Sequence, residues 1–415
     1  MARKNSIRNT TEQVLPGAFS DVLRLLRSCL YPERERPEDA GWESRVSDWG
    51  AVRKEMRAQA VDALPGMWLR THTLPDAELQ TAWQRDCLAS QATFLRIAQA
   101  QKELLALLEE NSIPAVILKG MTSAEAYPQP SLRRMGDIDF LVRREDYDRA
   151  NRLLEENGFR PEENQDIDGH HAGYSKNGIE YECHRRFGSM SRDNRILTDL
   201  LEKGMDQRET MSAEGIVFPC LPAYIHGFSL LLHINHHLSR TGLGLRHFLD
   251  WQMFLEKYGN EDVWEEMRPI VEATDLTELA RFATSLCRNY LGLSKEMPFL
   301  PEADRALTAD LLAYVAFKGN LGIKDRRGVH YRDYFSEVRD VKGFFSRLQR
   351  GGVTNWKAAQ RHRLLRPFAW IYQFFLITGR LLKGKISLKS MGEDRARGVN
   401  DAEFARLVGA RRMIR

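Results

Sequence analysis

The sequence predicts an α+β protein in which a small mixed sheet lies between N-terminal and C-terminal helical segments. Apolar residues recur at helical spacing through roughly the first 110 residues and again after Pro222. Between these regions they form short runs bounded by glycine and proline, which is typical of buried strands. The chain has 415 residues, enough for about two or three packed units. Its 43% hydrophobic content excludes a wholly disordered protein.

The N-terminal segment, residues 1–111, is predicted to be helical. Apolar side chains recur at helical spacing over Val22–Leu30, and a second series covers Asp48–Leu69. A longer series covers Asp76–Asn111, and its final asparagine is a residue type that often follows a last helical turn. We therefore expect three helices before the sheet.

The next segment, residues 112–215, is predicted to contain the sheet. The apolar runs Ala115–Leu118 and Asp137–Val142 are short, as expected for buried strands. Glu145–Asn157 has the spacing of an amphipathic helix, and Gly158 follows it as a left-handed stop. This alternation of strand and helix indicates a mixed α/β module.

A β-hairpin is predicted at the end of this module. The two strand candidates Gly173–Lys176 and Ile179–His184 flank the dipeptide Asn177-Gly178. Asparagine followed by glycine is the strongest short-range hairpin signal, because both residues accept the positive φ angles of a type I′ turn.

Helical spacing returns from Pro222 to Leu293, within the predicted helical segment 216–345. The final segment, 346–415, combines an aromatic helix with a basic tail. Core packing explains an aromatic stripe more often than base stacking does, so a nucleic-acid partner is not favoured.

Composition excludes several other classes of protein. A net charge of +4 argues against a dedicated nucleic-acid coat protein. The five cysteines lie far apart, which argues against a disulfide scaffold or a cysteine-rich zinc site. No secretory signal is visible, and the most apolar late segment is too short to span a bilayer. The sequence therefore predicts a cytoplasmic protein without a transmembrane segment.

Three carboxylates carry the functional hypothesis. Asp137 and Asp139 are separated by one residue, so on a strand both side chains point from one face. Glu182 lies in the second hairpin strand, with Glu180 on the same face, and is expected beside the aspartate pair. Carboxylates about 4 Å apart repel by on the order of 4 kcal/mol, so such a cluster needs a cation. Oxygen ligands suit Mg²⁺ or Mn²⁺.

Each carboxylate also has a simpler interpretation. Asp137 fits the end of a turn, Asp139 a solvated edge, and Glu182 an exposed hairpin position. Two aspartates on one face of an otherwise apolar strand nevertheless call for a reason, because aspartate is disfavoured within strands.

A turn that suits phosphate binding precedes the aspartates. The predicted strand ends at Lys119, Gly120 permits close backbone approach, and a short helix begins near Thr122. Backbone N–H groups at such a position bind phosphate, and so does a nearby lysine. Arg133 is a further candidate for contact with triphosphate oxygens. An ordinary strand-to-helix turn and a solvated arginine are the alternatives.

Histidines lie close to the hairpin carboxylate in sequence. His184 follows Glu182 on the same strand face and is expected to orient it. His170 and His171 precede the hairpin and are expected near the carboxylates.

Two pairs at helical spacing follow downstream. His233 and His237 are four residues apart on one helix face, a spacing that can bind zinc. No acidic third ligand stands in the usual order, so histidines hydrogen-bonded between helices are the favoured interpretation. Arg246 and Asp250 are also four apart, which predicts an ion pair within one helix.

These residues resemble the nucleotidyltransferase superfamily, and more closely a bacterial branch described as uncharacterised nucleotidyltransferase family proteins. In that branch a Lys-Gly turn precedes an Asp-x-Asp strand, and a Glu-x-His strand follows. The matching residues here are Lys119-Gly120, Arg133, Gly136–Val142, Glu182–His184, Leu221-Pro222, His233, His237, Arg246 and Asp250. The similarity covers residues of roughly 15 to 330.

The resemblance implies a nucleotidyltransferase core within helical segments. It also implies two divalent ions and transfer of a nucleoside monophosphate from a nucleoside triphosphate to an acceptor hydroxyl. On this mapping Asp137 and Asp139 bind both ions, and Glu182 binds the ion that activates the acceptor.

The resemblance further implies that Lys119, Gly120 and their neighbours hold the β- and γ-phosphates. The wider superfamily has Gly-Ser or Gly-Gly at this turn, whereas Met121 follows the glycine here. Ser123 is the expected substitute for the missing serine.

Two alternatives remain open from the sequence. A regulatory module that binds nucleotide without efficient catalysis is suggested by Met121. A metal-dependent glycosyltransferase also uses an Asp-x-Asp pair, but it normally needs a larger sheet than the roughly 80 residues of α/β pattern indicate. The acceptor is not predicted.

Overall fold

The computed structural model describes residues 15, 17–34, 39–162, 171–187, 195–240 and 242–324, short pieces between 345 and 382, and residues 404–410. They fall into two compact units. The first holds the described residues up to Leu238, Gly242–Lys324 and those from Val408; the second holds Ser239, Arg240 and the described pieces from Phe345 to Leu407. The predicted four-segment division stays a prediction.

Seven strands form one mixed sheet, which confirms the α+β prediction. The strands are β1 (Ala115–Ile117), β2 (Ile138–Val142), β3 (Arg160–Pro161), β4 (His171–Lys176), β5 (Ile179–His184), β6 (Glu209–Ala213) and β7 (Ile216–Cys220). Their order across the sheet is β3-β4-β5-β2-β1-β7-β6. β2 is parallel to β5 and β1 is parallel to β7, while the remaining neighbours are antiparallel.

The predicted hairpin is confirmed. β4 and β5 are antiparallel neighbours, and the turn residues Asn177 and Gly178 have φ angles of 53° and 71°. Both angles are positive, as a type I′ turn requires.

A second hairpin, β6–β7, was not predicted, and it carries the sheet past the predicted boundary at residue 215. Its turn residues, Glu214 and Gly215, both have positive φ. Glutamate is an unusual residue at positive φ, so the dipeptide gives no hairpin signal. Pro219 within β7 also argues against a strand in the sequence, because proline cannot donate to a ladder.

The helices before and after the sheet segment lie in the predicted helical regions, and one helix within that segment, Arg195–Asp206, was not predicted. They are α1 (Gly17–Leu30), α2 (Trp49–Ala58), α3 (Trp68–Thr71), α4 (Ala77–Glu110), α5 (Met121–Ala124), α6 (Tyr147–Glu156), α7 (Arg195–Asp206), α8 (Ala223–Arg240), α9 (Leu245–Tyr258), α10 (Glu261–Ala273), α11 (Thr277–Leu286), α12 (Arg305–Lys318) and α13 (Ala369–Leu382). Asp76 begins α4 by accepting hydrogen bonds from the backbone of Glu78 and Leu79.

The single helix predicted over Asp48–Leu69 is wrong. α2 ends at Ala58, and Ala60 then adopts a φ of 58°, which ends the helical path. A 3₁₀ turn containing Pro65 leads to the short helix α3. The apolar spacing continues through this break because the turn is itself buried in the helical layer.

One face of the sheet is packed against helices, and the other carries the polar side chains. Phe140 of β2 and Cys183 of β5 are fully buried in a core that also includes Phe94 and Leu104 of α4 and Leu154 of α6. Because successive side chains of a strand alternate in direction, the residues on either side of Phe140 and Cys183 face away from this core.

The second unit contains the aromatic helix α13. Phe368, Phe374 and Phe375 are 56%, 47% and 65% exposed, so core packing does not account for them. The rings of Trp356 and Tyr372 stack with their centres 5.4 Å apart. Most of the predicted basic tail lies outside the described residues. Among the residues that are described, no helix combines the length and apolar content needed to cross a membrane.

Candidate active site

The three predicted carboxylates converge at one point on the polar face of the sheet. Asp139 of β2 lies directly opposite Glu182 of the parallel neighbour β5, and Asp137 immediately precedes β2. One oxygen from each of the three carboxylates lies within 4.8 Å of the others. The Asp-x-Asp spacing and the parallel register of β2 with β5 therefore produce this cluster together.

Two cations offset the charge of the cluster. Lys119 Nζ lies 2.8 Å from Asp139 Oδ1, and His184 Nε2 lies 2.9 Å from the same oxygen. The same nitrogen of His184 lies 3.1 Å from Glu182 Oε2. His184 thus bridges two carboxylates, whereas its position on the Glu182 face of β5 predicted contact with Glu182 alone.

The pKa values reflect these contacts. The charge of Asp139, followed by burial, raises the pKa of Asp137 to about 6. Burial alone would raise the pKa of Asp139, but Lys119 and His184 lower it well below its usual range. Burial alone would lower the pKa of His184, but its hydrogen bonds to Asp139 and Glu182 raise it to about 9. At neutral pH Asp139 is therefore ionised and His184 is protonated.

The donor set fits a hard divalent cation. Asp137, Asp139 and Glu182 supply oxygen ligands, which Mg²⁺ and Mn²⁺ prefer. The pKa of Asp137 is raised because its carboxylate is repelled by that of Asp139, and a bound cation would relieve this repulsion. Nothing in the cluster's chemistry conflicts with the predicted metal site.

His171 lies beside the same cluster. Its Nε2 is 3.8 Å from Glu182 Oε1, and its ring centre is 5.1 Å from that of His184. The expectation that His171 lies near the carboxylates is confirmed, while His170 lies outside the described residues.

The glycine bend connects β1 to the short helix α5. Gly120 has a φ of 71°, and an added Cβ would lie 3.3 Å from Met135 Cε and 3.7 Å from the Asp137 carbonyl oxygen. The bend therefore requires glycine and passes close to the carboxylate strand. Met121 is fully buried in the sheet core, so its side chain does not obstruct the outer side of the bend.

The hydroxyls of this bend face inward. Thr122 Oγ1 donates to the Ile117 carbonyl oxygen at 3.0 Å. Ser123 is 2% exposed, and its hydroxyl oxygen is buried without a hydrogen-bond partner. A phosphate contact by Ser123 stays a prediction and would require this hydroxyl to become accessible.

Arg133 forms a buried bidentate ion pair with Asp250. Its Nε and Nη2 donate to the two carboxylate oxygens, each at 2.7 Å, and Tyr127 donates to the same carboxylate at 2.8 Å. Arg133 and Asp250 are 5% and 3% exposed. The pair ties the segment before β2 to α9. The predicted contact of Arg133 with phosphate stays a prediction.

The predicted ion pair between Arg246 and Asp250 is wrong. Arg133, which lies in another segment, donates to both oxygens of Asp250 in a bidentate geometry, so this buried carboxylate is paired across segments rather than within α9. Arg246 is half-buried, and its Nε has no hydrogen-bond partner. Burial, followed by the charge of Arg133, lowers its pKa, whereas Asp250 and Asp137 act in the opposite direction.

The predicted His233–His237 pair is formed, and a third histidine joins it. His233 Nε2 lies 2.8 Å from His237 Nε2 on α8. The ring centre of His247, on α9, lies 4.9 Å and 4.8 Å from those two rings. Lys119 is among the charges that act on the pKa values of both α8 histidines, so the cluster borders the carboxylate site.

Comparison with protein-family models shows which family contains this chain. A model of the family described as uncharacterised nucleotidyltransferase matches residues 45–292, more than half of the chain. The chain belongs to this family. The matched range of the uncharacterised nucleotidyltransferase family contains the carboxylate cluster, the glycine bend and helices α8 and α9.

Two solved structures are similar to the chain at 12% identity. One is the solution structure of the antibiotic-resistance factor ANT(2'')-Ia, with a TM-score of 0.33 over 43% of this chain and 92% of that chain. The other is an antigenic nucleotidyltransferase-like protein from Paracoccidioides brasiliensis, with a TM-score of 0.28 over 51% of this chain and 95% of that chain. No curated protein matches. At this level of similarity neither structure supports an inference about the site.

The sequence of this nucleotidyltransferase family member did not indicate the contacts of two further residues, His247 and Tyr127. His247 has no informative spacing to His233 or His237, because it lies on a different helix. Tyr127, which contacts Asp250, ends an ordinary-looking turn segment. Only the tertiary packing brings these side chains to their partners.

Proposed function

We propose that the chain is a metal-dependent enzyme that transfers a nucleoside monophosphate from a nucleoside triphosphate to an acceptor hydroxyl. The observation that carries the proposal is the convergence of Asp137, Asp139 and Glu182 within 4.8 Å beside the Gly120 bend. ATP is the first triphosphate to test.

The carboxylates would hold the metal ions. Asp137, Asp139 and Glu182 would bind Mg²⁺ or Mn²⁺, which when bound offset polyphosphate charge and lower the pKa of a bound hydroxyl. His184 holds Asp139 and Glu182 in a fixed relative orientation through hydrogen bonds to both. In the nucleotide complex, Lys119 would contact phosphate oxygens as well as, or instead of, Asp139.

Backbone N–H groups and an arginine guanidinium would bind the phosphate oxygens that the metal ions and Lys119 do not contact. The N–H groups that follow Gly120 begin α5 next to the carboxylates, which suits the β- and γ-phosphates. Arg246 supports the same role, because its guanidinium has a buried nitrogen without a partner and lies within electrostatic range of Asp137. Arg133 instead anchors Asp250.

A second candidate function is nucleotide binding without efficient catalysis. It is supported by the inward-facing hydroxyl of Ser123 and by the two cations that already engage Asp139. In such a module the carboxylates would act mainly as partners of Lys119 and His184.

Labelled triphosphates distinguish these functions. The purified full chain is incubated with α-³²P-labelled triphosphates, Mg²⁺ and cell extract, and both pyrophosphate release and labelled products are followed. We expect label transfer that is lost in Asp137→Asn and retained in Glu180→Gln, which removes an exposed carboxylate from the same strand as Glu182. Nucleotide binding with no pyrophosphate release would favour the binding module, and activity only with nucleotide sugars would favour a glycosyltransferase.

A further inference from the structure

The three histidines between α8 and α9 form a compact group of nitrogen donors. The ring centres of His233, His237 and His247 are 4.5, 4.9 and 4.8 Å apart, and the rings are inclined to one another by 52° to 69°. A tetrahedral ion with Zn–N bonds of about 2.0–2.1 Å would hold three imidazole centres roughly 5 Å apart. The arrangement therefore has the dimensions of a three-histidine metal site.

Hydrogen bonding within the group leaves one nitrogen without a partner. His233 and His237 satisfy each other through their Nε2 atoms at 2.8 Å. His247 is 2% exposed, and its Nδ1 lies 3.3 Å from the Gly244 carbonyl oxygen and 3.4 Å from the Gly244 backbone nitrogen. Its Nε2 is buried without a partner, which is unfavourable if nothing binds there. A packed trio of histidines does not explain this orphaned nitrogen, whereas a metal ion does.

The burial of the group suits a metal. His247 is buried, and His233 and His237 are half-buried. Neutral imidazoles present a lone pair, which is the form that binds metals. In the tautomer whose Nδ1 donates to the Gly244 carbonyl oxygen, His247 Nε2 carries the lone pair that a metal would bind.

The backbone around His247 is held in place. Gln59 is fully buried, and its Oε1 accepts a hydrogen bond from Leu245 N at 3.1 Å at the start of α9. A Cβ on Gly244 would lie 2.7 Å from Asn320 Cβ, so the turn before α9 fits closely against this residue. These contacts orient the first turn of α9, where His247 lies.

We propose that His233, His237 and His247 bind one zinc-class divalent ion that ties α8 to α9. Three imidazole donors favour Zn²⁺, Co²⁺ or Cu²⁺ over Mg²⁺, which prefers oxygen ligands. A three-histidine set leaves a fourth position for water or a substrate group. The site is separate from the proposed carboxylate centre in both its residues and its choice of metal.

The surrounding charges have opposite signs. Lys119 and Arg246 act on the pKa of His233 and oppose a cation, while Asp250 acts on His247 in its favour. His236 is adjacent to the group, with its ring centre 5.1 Å from that of His237. The zinc site would therefore draw its affinity from ligand bonds rather than from a negative surrounding field.

Cobalt spectroscopy tests the proposal on the full chain, produced without a histidine tag and stripped with a chelator. We expect one equivalent of Co²⁺ to give the visible bands of tetrahedral coordination without a thiolate charge-transfer band, and one equivalent of Zn²⁺ to displace it. His247→Gln should abolish these bands and weaken Zn²⁺ binding by more than the roughly 10- to 100-fold that loss of an outer-shell partner costs. The matched control His236→Gln, which changes a neighbouring histidine of α8, should keep both.

Circular dichroism and thermal melting show whether each variant folds, and His233→Gln provides a second ligand variant. A wild-type chain without tetrahedral Co²⁺ bands, or a folded His247→Gln chain that keeps them, would overturn the proposal. Asp137→Asn should leave the bands unchanged, so the zinc site and the proposed transferase activity succeed or fail independently.

Discussion

Gly120 shows how one residue serves both fold and site. Its φ of 71° lies in the left-handed region, and an added Cβ would meet Met135. Gly178 has the same φ at the hairpin turn, with open space around it and no contact with the carboxylates. Comparing substitutions at the two glycines therefore distinguishes the effect of backbone strain from an effect on phosphate binding.

We predict that Gly120→Ala and Gly178→Ala each lower the free energy of unfolding by about 1 kcal/mol or more. Only Gly120→Ala should raise the KM for triphosphate, because its altered backbone lies next to the carboxylate strand. Chemical denaturation and steady-state kinetics measure the two effects. Equal KM values for the two variants would argue against phosphate binding at the bend.

Arg246 is the second residue whose role depends on its surroundings. Arg246→Gln should raise the KM for triphosphate by about 10- to 100-fold with little change in kcat, since hydrogen bonds to charged groups contribute about 1.5–3 kcal/mol. Arg246→Lys should recover part of this loss because it keeps the charge. The control is Arg281→Gln, which removes a half-buried arginine that pairs with Glu278 and donates to the carbonyl oxygens of Pro301 and Glu302, away from the proposed site. An unchanged KM in Arg246→Gln would exclude a phosphate contact.

At the scale of elements, the buried pair of Arg133 and Asp250 joins the segment before β2 to α9. Asp250→Asn should lower the free energy of unfolding by about 3–5 kcal/mol, because it leaves a buried guanidinium without its counter-charge. Asp206→Asn is a matched control, because Asp206 pairs with Arg143 at the surface and its side chain is 69% exposed. Such a pair contributes about 0–1 kcal/mol. If urea denaturation showed similar losses of unfolding free energy in Asp250→Asn and Asp206→Asn, this account would be contradicted.

Helix α8 also makes stability depend on pH. His226 is 3% exposed, and burial lowers its pKa to about 4. In the unfolded chain, the imidazole of His226 takes up a proton near pH 6.5. The stabilisation is therefore complete above pH 6.5 and is lost as the pH falls towards 4, with a maximum slope near 1.4 kcal/mol per pH unit for this group.

We predict that His226→Gln flattens the fall in unfolding free energy between pH 6.5 and 4 relative to the wild type. Urea denaturation at several pH values, in the presence of chelator, measures this slope. His72→Gln alters an exposed histidine stacked on Trp68 and should keep the wild-type slope. A wild-type slope in His226→Gln would show that this ring is not the proton acceptor.

Sequence patterns predicted the elements that form through local interactions. The Asp-x-Asp alternation placed Asp139 on one strand face, and Asn177-Gly178 predicted the hairpin whose second strand carries Glu182. The parallel register of β2 with β5 then brings Glu182 opposite Asp139. The β6–β7 hairpin was not predicted because its turn places Glu214, an unusual residue type for this conformation, at positive φ. Asp250 was assigned to the wrong arginine, since helical spacing carries no information about a side chain from a distant segment.

At the scale of the whole molecule, the sheet and the helix pair α8 and α9 bring two different donor sets to adjacent places. The oxygen cluster lies on the sheet and suits hard cations, whereas the nitrogen cluster lies between the helices and suits zinc-class ions. Lys119 is within electrostatic range of both. The first compact unit thus contains every residue of the proposed transfer site and of the proposed zinc site.

Nucleotide-dependent Mn²⁺ binding by electron paramagnetic resonance tests the convergence of the three acidic side chains most directly. Wild-type chain, Glu182→Gln and Glu180→Gln are titrated with Mn²⁺ in the presence of a non-hydrolysable triphosphate. Glu182→Gln should bind this Mn²⁺ at least about tenfold more weakly, a loss of about 1.4 kcal/mol, and Glu180→Gln should match the wild type. Unchanged binding in Glu182→Gln would contradict a shared metal centre on β2 and β5.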